Sequence, residues 1–332
     1  MHRKTKSFVV GVDLGGTKIL AAVFDHKLRI LAREKKSTRP EPGARAVIDR
    51  VRECVNETLA AAAVPHPAVA AVGVGVPGMV DTERGIVRIA PNLFWKEVPC
   101  AKLLGRSLHI PVVVVNDVQA GTLAVQRLGA GRKLRDFVCM FIGTGIGGGL
   151  VLRGESYRGA GGMGGEVGHM VVVARDGPRC GCGNRGCLEA VASRGAIVRR
   201  VISAMEKGRK SVVHDLCDGD TSRVRSRILA EAYREGDKLV REVIHDACEY
   251  LGIGAANLIN VLNPQAVILG GGLIEALGGT MLPRIAKAAR AHVIGASADR
   301  VRILDSGLGD DAGILGSGLA ALEARGDARL AA

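Results

Sequence analysis

The sequence predicts an α/β chain built as two related lobes, and three observations predict it. A strand–glycine turn–strand unit, SFVVGVDLGGTKILAAVFD at residues 7–25, opens the chain, and the same logic returns in DFVCMFIGTGIGGGLVLRG at 136–154. Each unit is followed by buried apolar strands, AAVGVGV (70–76) and PVVVVND (111–117) after the first, NPQAVILGGG (263–272) and VRILDS (301–306) after the second, with helical patterns between them. A length of 332 residues suits about two domains, each with its own core.

In chain order, SFVVGVD reads as a buried strand, LGGT as a tight turn, and KILAAVFD and LRILAREK as two more strands, a three-stranded antiparallel meander with His26 near its second turn. Residues 44–63 are helical, because Val47, Ile48, Val51, Val55 and Leu59 recur at three- and four-residue steps. Pro77-Gly78 stops the strand at 70–76, and a helix begins near Val118 after the strand at 111–117. The lobe boundary falls near 118–135. Residues 207–223 are polar and read as a surface loop. A long helix over 237–262 carries Val240, Val243, Ile244, Ala247, Cys248 and Leu251 on one side, and its Gly252 and Gly254 would admit another element closely. Leu273 to Ala291 is mostly helical, Asp310 to Glu323 reads as an amphipathic helix, and the tail after Arg325 as a frayed end.

Composition bounds the function. The net charge is +13, yet the basic runs His2-Arg3-Lys4, Lys35-Lys36 and Lys207-Gly208-Arg209-Lys210 are short, scattered and without interleaved aromatics. That pattern argues against specific nucleic-acid binding and for a basic surface that attracts anions, nucleotide phosphates included. No stretch approaches the ~20 apolar residues of a membrane span, and the apolar piece after MHRKTK is too short for a signal peptide. Eight cysteines without a secretory signal point to a reducing, cytoplasmic compartment. Cys54, Cys100, Cys139, Cys217 and Cys248 sit in apolar or helical contexts and are expected to be packing residues.

The chemistry concentrates in GGMGGEVGHMVVVARDGPRCGCGNRGCLEA, residues 161–190. His169, Cys180, Cys182 and Cys187 form a complete ligand set for a structural, tetrahedral Zn²⁺. Glu166 and Glu189 lie in the same stretch, so a metal there would hold two carboxylates still. Ordinary buried cysteines or a disulfide are the alternatives, but CGCGNRGC is glycine-rich and polar and makes a poor core.

GVDLGGTKI (11–19) puts Asp13 at a strand end, then Gly15 and Gly16, then Thr17 and Lys18. The glycines let backbone N–H groups approach a phosphate, and Asp13 could hold Mg²⁺. It is not a P-loop, and a structural hairpin explains it equally well. GTGIGGG (143–149) fits GxGxxG at Gly143, Gly145 and Gly148, but a strand follows where a dinucleotide site needs a helix. It reads as a second phosphate-clasping hairpin, with Thr144 donating its hydroxyl. Gly270 to Gly272 could admit a base or ribose, or only a close helix–strand contact. Asn116-Asp117 ends a strand: Asp117 could accept a proton from an attacking hydroxyl or merely cap the next helix, and local pattern favours the cap. Asn92, in the turn Pro91-Asn92-Leu93, could hydrogen-bond a ligand.

Together, DLGGTK (13–18), GVGVPGMVD (73–81), PNL (91–93), ND (116–117), GTGIGGG (143–149), GGEVGH (164–169), CGCGNRGCLE (180–189) and NPQAVILGGG (263–272) resemble, in order and across nearly the whole chain, the ROK family (repressor, open reading frame, kinase). The resemblance implies a two-lobed actin-like or hexokinase-like ATPase fold with ribonuclease H-like lobes and a zinc-binding loop. It implies a small lobe over 1–120, with helix 310–325 packing back on it, and a large lobe over 121–309 carrying the zinc loop 169–187. ATP-Mg²⁺ would lie between the glycine hairpins and a hexose against the braced loop. By the same resemblance Asp117 is the general base, Asn92, Asn116, Glu166, His169 and Glu189 hold the sugar, and Asp13, Gly15, Gly16, Thr17, Lys18, Gly143, Thr144 and Gly272 serve the nucleotide. His169 would serve zinc with one ring nitrogen and face the sugar with the other. Family members are commonly dimers, so a homodimer is expected. Phe94-Trp95 replaces the family's Pro-Gly-Trp turn, and VQAGTLAVQRLGAG after Asp117 lacks its usual glutamate, which leaves the hexose open among glucose, mannose, fructose, allose and N-acetylated amino sugars.

The resulting expectation is an ATP-dependent hexose kinase, foremost a glucokinase. A sugar-sensing repressor of the same family is the second reading; only about seven residues precede the first strand, too few for a DNA-reading helix pair. Polyphosphate instead of ATP as donor is a third, permitted by the charge alone.

Overall fold

The structure is a computed structural model that describes residues 8–295 and 300–325. The basic run at residues 2–4 and the tail after Arg325 lie outside the described residues. In chain order come β1 (Phe8–Leu14), β2 (Lys18–Phe24), β3 (Ile30–Ser37), α1 (Ala44–Ala61), β4 (Val69–Val76), β5 (Met79–Asp81), β6 (Ile86–Ala90), β7 (Trp95–Val98), α2 (Cys100–Leu108), β8 (Val112–Asn116) and α3 (Asp117–Arg127). There follow β9 (Phe137–Ile142), β10 (Ile146–Leu152), β11 (Glu155–Tyr157), α4 (Leu188–Ala192), α5 (Arg194–Glu206), α6 (Val213–Leu216), α7 (Ser226–Arg234), α8 (Lys238–Leu262), β12 (Ala266–Gly270), α9 (Gly272–Arg290), β13 (Arg302–Asp305) and α10 (Ala312–Glu323).

The chain divides into two compact units: Met1–Arg132 with Arg158–Gly164 and Asp311–Ala332, and Lys133–Tyr157 with Gly165–Asp310. The first contains a five-stranded sheet ordered β3-β2-β1-β4-β8, in which β1 pairs antiparallel with β2 and parallel with β4. Residues of β4 are buried along its whole length, as a strand covered on both faces must be. Val10 and Val12 join Val47, Val51 and Val55 of α1 in one core cluster. On the opposite face α10 lies directly on the strands: a Cβ added to Gly73 would stand 1.8 Å from Ser317 O, and one on Gly11 2.1 Å from Ile314 O. That approach explains why α10 is buried on nearly all sides, Ala312, Ile314, Ser317, Leu319 and Ala321 included, where the sequence suggested an amphipathic helix. α3 packs on α10 within the first unit, which runs through Arg132.

The second unit repeats the plan with sheet order β11-β10-β9-β12-β13, again an antiparallel hairpin extended by parallel strands. Its core joins β9, β10 and β12 to α5, α7, α8 and α9. Gly252 and Gly254 of α8 do admit neighbours, Ala288 of α9 and Leu188 of α4. The polar stretch 207–223 is more than a surface loop: it contains α6 and buries Val213 and Cys217, two apolar anchors four residues apart on one helical face. The five cysteines expected to pack are all buried, and burial pushes the thiols of Cys100 and Cys248 up to about 12. Among the described residues no helix is long and apolar enough to cross a membrane.

Candidate active site

In the first unit the candidate residues gather at the carboxyl ends of β1, β4 and β8, the edge where open α/β sheets bind ligands. Asp13 sits in register with Gly75 and Val76 with Asn116. The turn after Asp13 is closed by a Gly15 N–H to Lys18 O bond of 2.8 Å and anchored by Thr38, whose hydroxyl donates to Gly15 O at 2.6 Å. Thr17 at its tip is exposed and Lys18 half-buried. Gly16 faces the turn holding Asn92: a Cβ on Gly16 would stand 3.1 Å from both Asn92 Cβ and Asn92 O. Gly16 and the turn holding Asn92 therefore lie close together, a proximity invisible in the separate motifs.

The helix cap at the end of β8 is Asn116. Its Oδ1 accepts the Gln119 N–H at 3.0 Å, and its Nδ2 donates to Gly78 O at 3.0 Å and Asp117 Oδ1 at 3.1 Å. Asp117 is the first helical residue, with Oδ1 also accepting the Val118 N–H at 2.9 Å. The local reading of Asp117 as the cap is thus corrected. Asn116 holds the extended backbone a cap needs, and Asp117 stands in the first turn, where the helix dipole favours a carboxylate.

In the second unit the loop between β11 and α4 folds His169, Cys180, Cys182 and Cys187 together. The bridges Val171 to Cys187 and Arg179 to Arg185 close it, and the Cys180 N–H donates to Asn184 O at 2.8 Å. One ligand atom from each of the four residues lies within 4.8 Å of all the others. His169 Nδ1 stands 3.7 Å from Cys180 Sγ, and Cys182 Sγ 3.8 Å from Cys187 Sγ. A tetrahedral zinc with bonds of about 2.3 Å to sulfur and about 2.0 Å to nitrogen requires edges of about 3.8 and 3.5 Å, so the donor set fits one such ion. Burial pushes the Cys180 thiol up to about 12 and Cys187 upward, while the Asn184 N–H draws Cys182 down. A divalent cation among these sulfurs would reverse the penalty on the buried thiolates.

Both candidate carboxylates border this cluster. Glu166 Oε2 lies 3.9 Å from His169 Nε2, the ring nitrogen facing away from Cys180. Glu189, in the first turn of α4, accepts the Ile146 N–H on Oε2 at 2.9 Å and the Cys180 thiol on Oε1 at 3.6 Å. It fits against Gly145 so closely that a Cβ there would stand 2.2 Å from Oε2. Glu189 therefore ties the cysteine loop to the turn that carries Gly143 and Thr144.

That turn ends β9, and Gly270 of the adjacent β12 is in register with Phe141, so both glycine turns share one sheet edge. Gly271 has a φ of 88° and lies against Ile142, and Gly272 begins α9. The sequence reading missed Ser193 and Arg194. Ser193 caps α5 by accepting the Ala196 N–H at 3.0 Å, a signal available as a serine before a helical pattern. Arg194 donates through its side chain to Thr144 Oγ1 and through its backbone to Gly143 O, a long-range contact that no local pattern announces.

The model of the ROK family matches residues 9–324. A glucokinase of Thermotoga maritima is 36% identical over 310 residues, 93% of this chain and 95% of its own length. A ROK family glucokinase from Streptomyces griseus, solved in complex with glucose and AMPPNP, superposes with a TM-score of 0.83 at 34% identity, covering 94% of this chain and 98% of that one. A xylose repressor of Caldicellulosiruptor bescii is 30% identical over 264 residues, 79% of this chain and 65% of its own.

Proposed function

Because the chain belongs to the ROK family, we propose that it is an ATP-dependent hexose kinase, and specifically a glucokinase of the actin-like, hexokinase-like superfold. Its whole-length similarity to glucokinases is the observation that carries this reading. In the reaction, Asp117 takes the proton of the sugar 6-hydroxyl as that oxygen attacks the terminal phosphoryl of ATP. A carboxylate suits this task because it is ionised at neutral pH without tuning. Asn116 positions it, with an N–H on Asp117 Oδ1 and its own oxygen fixed to α3.

Glu166, His169, Glu189, Asn92 and Asn116 hold the sugar hydroxyls. His169 Nδ1, Cys180, Cys182 and Cys187 would hold zinc, which when bound would serve as a structural brace for the loop, while His169 Nε2, beside Glu166, is left for the sugar. Backbone N–H groups at Gly15, Gly16, Thr17 and Gly143 and the hydroxyl of Thr144 receive the phosphates, with Lys18 adding charge. Gly272 lets the nucleoside approach. Asp13 would hold Mg²⁺, which neutralises phosphate charge when bound. None of the eight cysteines is in a disulfide, three of them being the proposed zinc ligands, which fits a reducing, cytoplasmic setting, and the working assembly is a homodimer.

A coupled assay of ADP release across glucose, mannose, fructose, allose and N-acetylated amino sugars tests the reading, with polyphosphate compared as donor. Glucose with ATP is expected to give the highest kcat/KM. The similarity to a xylose repressor supports a second reading, a sugar-responsive regulator. Sugar binding without turnover, together with salt-resistant, sequence-selective DNA binding, would favour it over the kinase.

A further inference from the structure

Beside the glycine turns of the second unit stands a group of polar side chains that no motif marks. Arg194 is half-buried, and its side chain donates to Thr144 Oγ1. Burial pulls its pKa below the usual arginine range, repulsion from Arg225 adds to the effect, and Asp310 opposes it. Arg225 is itself pinned by the carbonyl oxygens of Ser222 and Val224, so a second positive charge is fixed close by. Ser226, the first residue of α7, is only 9% exposed, and its Oγ has no hydrogen-bond partner. That oxygen lies 3.8 Å from where a Cβ would stand on Gly272, the first residue of α9. The 19-residue α9 has no side-chain cap hydrogen bond, although Glu275 stands in its first turn and Asp310 Oδ1 lies 3.4 Å from the same Gly272 Cβ position, so its first N–H groups still await a hydrogen-bonding side chain or ligand.

Two guanidiniums held near one another, whose repulsion Asp310 only partly offsets, a buried hydroxyl without a partner and an uncapped helix start make an unfavourable arrangement alone. An anion relieves all of them at once. The anion at this edge must also reach Thr144. With a guanidinium N–H directed at Thr144 Oγ1, the hydroxyl hydrogen is left to be donated elsewhere. A guanidinium, unlike an ammonium, presents several donors in a rigid fork and can serve Thr144 and a phosphate oxygen together.

We propose that Arg194 is a phosphate-binding residue for the nucleotide donor, orienting Thr144 while gripping the phosphate chain, with Arg225 and the Ser226 hydroxyl completing the anion site at the start of α9. The inference rests on the kinase reading and adds to it a charged residue that the motifs do not supply.

Calorimetric titration of the full chain with ADP, and separately with adenosine, tests it. Arg194→Gln keeps a donor for Thr144 without the charge, and Arg194→Lys keeps the charge without the fork. Loss of a charge-assisted phosphate contact is worth about a tenfold to hundredfold change in affinity. Arg194→Gln should weaken ADP and raise the KM for ATP by that factor. It should leave adenosine binding, the glucose dissociation constant and the melting temperature close to wild type. Arg194→Lys should recover only part of the loss, and Ser226→Ala should weaken ADP by a smaller factor. ADP affinity of Arg194→Gln within twofold of wild type, or an equal loss for adenosine, would overturn this inference and leave the kinase reading standing. A wild-type chain that binds no ADP would overturn both.

Discussion

Replacing Gly145 with alanine isolates the coupling between the cysteine loop and the turn that carries Gly143 and Thr144. The added Cβ would stand 2.2 Å from Glu189 Oε2 and 3.1 Å from its Cδ. Non-bonded contact needs roughly 3.5 Å, so the carboxylate must withdraw by more than about 1 Å. The 2.9 Å bond from the Ile146 N–H then lengthens beyond hydrogen-bonding range. Glu189 is the far end of a flexible side chain, so the fold survives while the carboxylate loses its fixed position. A charge-assisted hydrogen bond of this kind is worth about 1.5–3 kcal/mol. If Glu189 also holds the sugar, loss of its alignment should raise the glucose KM by about tenfold to a hundredfold. The KM for ATP should change much less. A coupled ADP-release assay with each substrate varied in turn, alongside a thermal melt, reads all three quantities. A Gly145→Ala protein with wild-type glucose KM would refute the reasoning, because it would show that Glu189 need not be held where the structure puts it.

Asp117→Asn should bind glucose within a few-fold of wild type and lose about 10²–10⁴ in kcat, the usual worth of a general base; turnover within a few-fold of wild type would reject the assignment. Asn116→Ala removes a helix cap worth about 1 kcal/mol and the N–H that holds Asp117 Oδ1, so the melting temperature should fall by a few degrees while kcat falls on the order of tenfold. Unchanged kcat would separate the cap from the catalyst. Gly73→Ala would drive a Cβ to 1.8 Å from the backbone oxygen of Ser317, and neither strand nor helix can step aside. A loss of about 3 kcal/mol or more is expected, and an unaltered denaturation midpoint would contradict the packing of α10 on β4.

Much of this was legible in the sequence because it is local. The alternation of KILAAVFD and the run AAVGVGV announce strands, the steps of Val47, Val51 and Val55 announce α1, and the spacing of Cys180, Cys182 and Cys187 announces that these side chains cluster. What escaped depends on contacts distant in sequence. The small residues of α10 suggest one apolar stripe, but they are buried all round because Gly11 and Gly73 let the helix down onto the sheet. The end of the first unit follows from α3 packing on α10, and its segment Arg158–Gly164 carries no mark of its allegiance. Asn116 and Asp117 are both capable caps by type, and only backbone geometry chooses between them. Arg194 reaches Thr144 across fifty positions of chain, beyond any periodicity.

If a metal-braced loop fixes the carboxylates and imidazole proposed to hold the sugar, zinc content and turnover must rise and fall together. Elemental analysis of the purified chain, paired with glucose-phosphorylation turnover on the same sample in excess Mg²⁺, tests it most directly. One zinc per chain is expected, with activity falling in proportion as a zinc-selective chelator removes it and returning when zinc is restored. Full turnover in a preparation free of zinc would contradict the account.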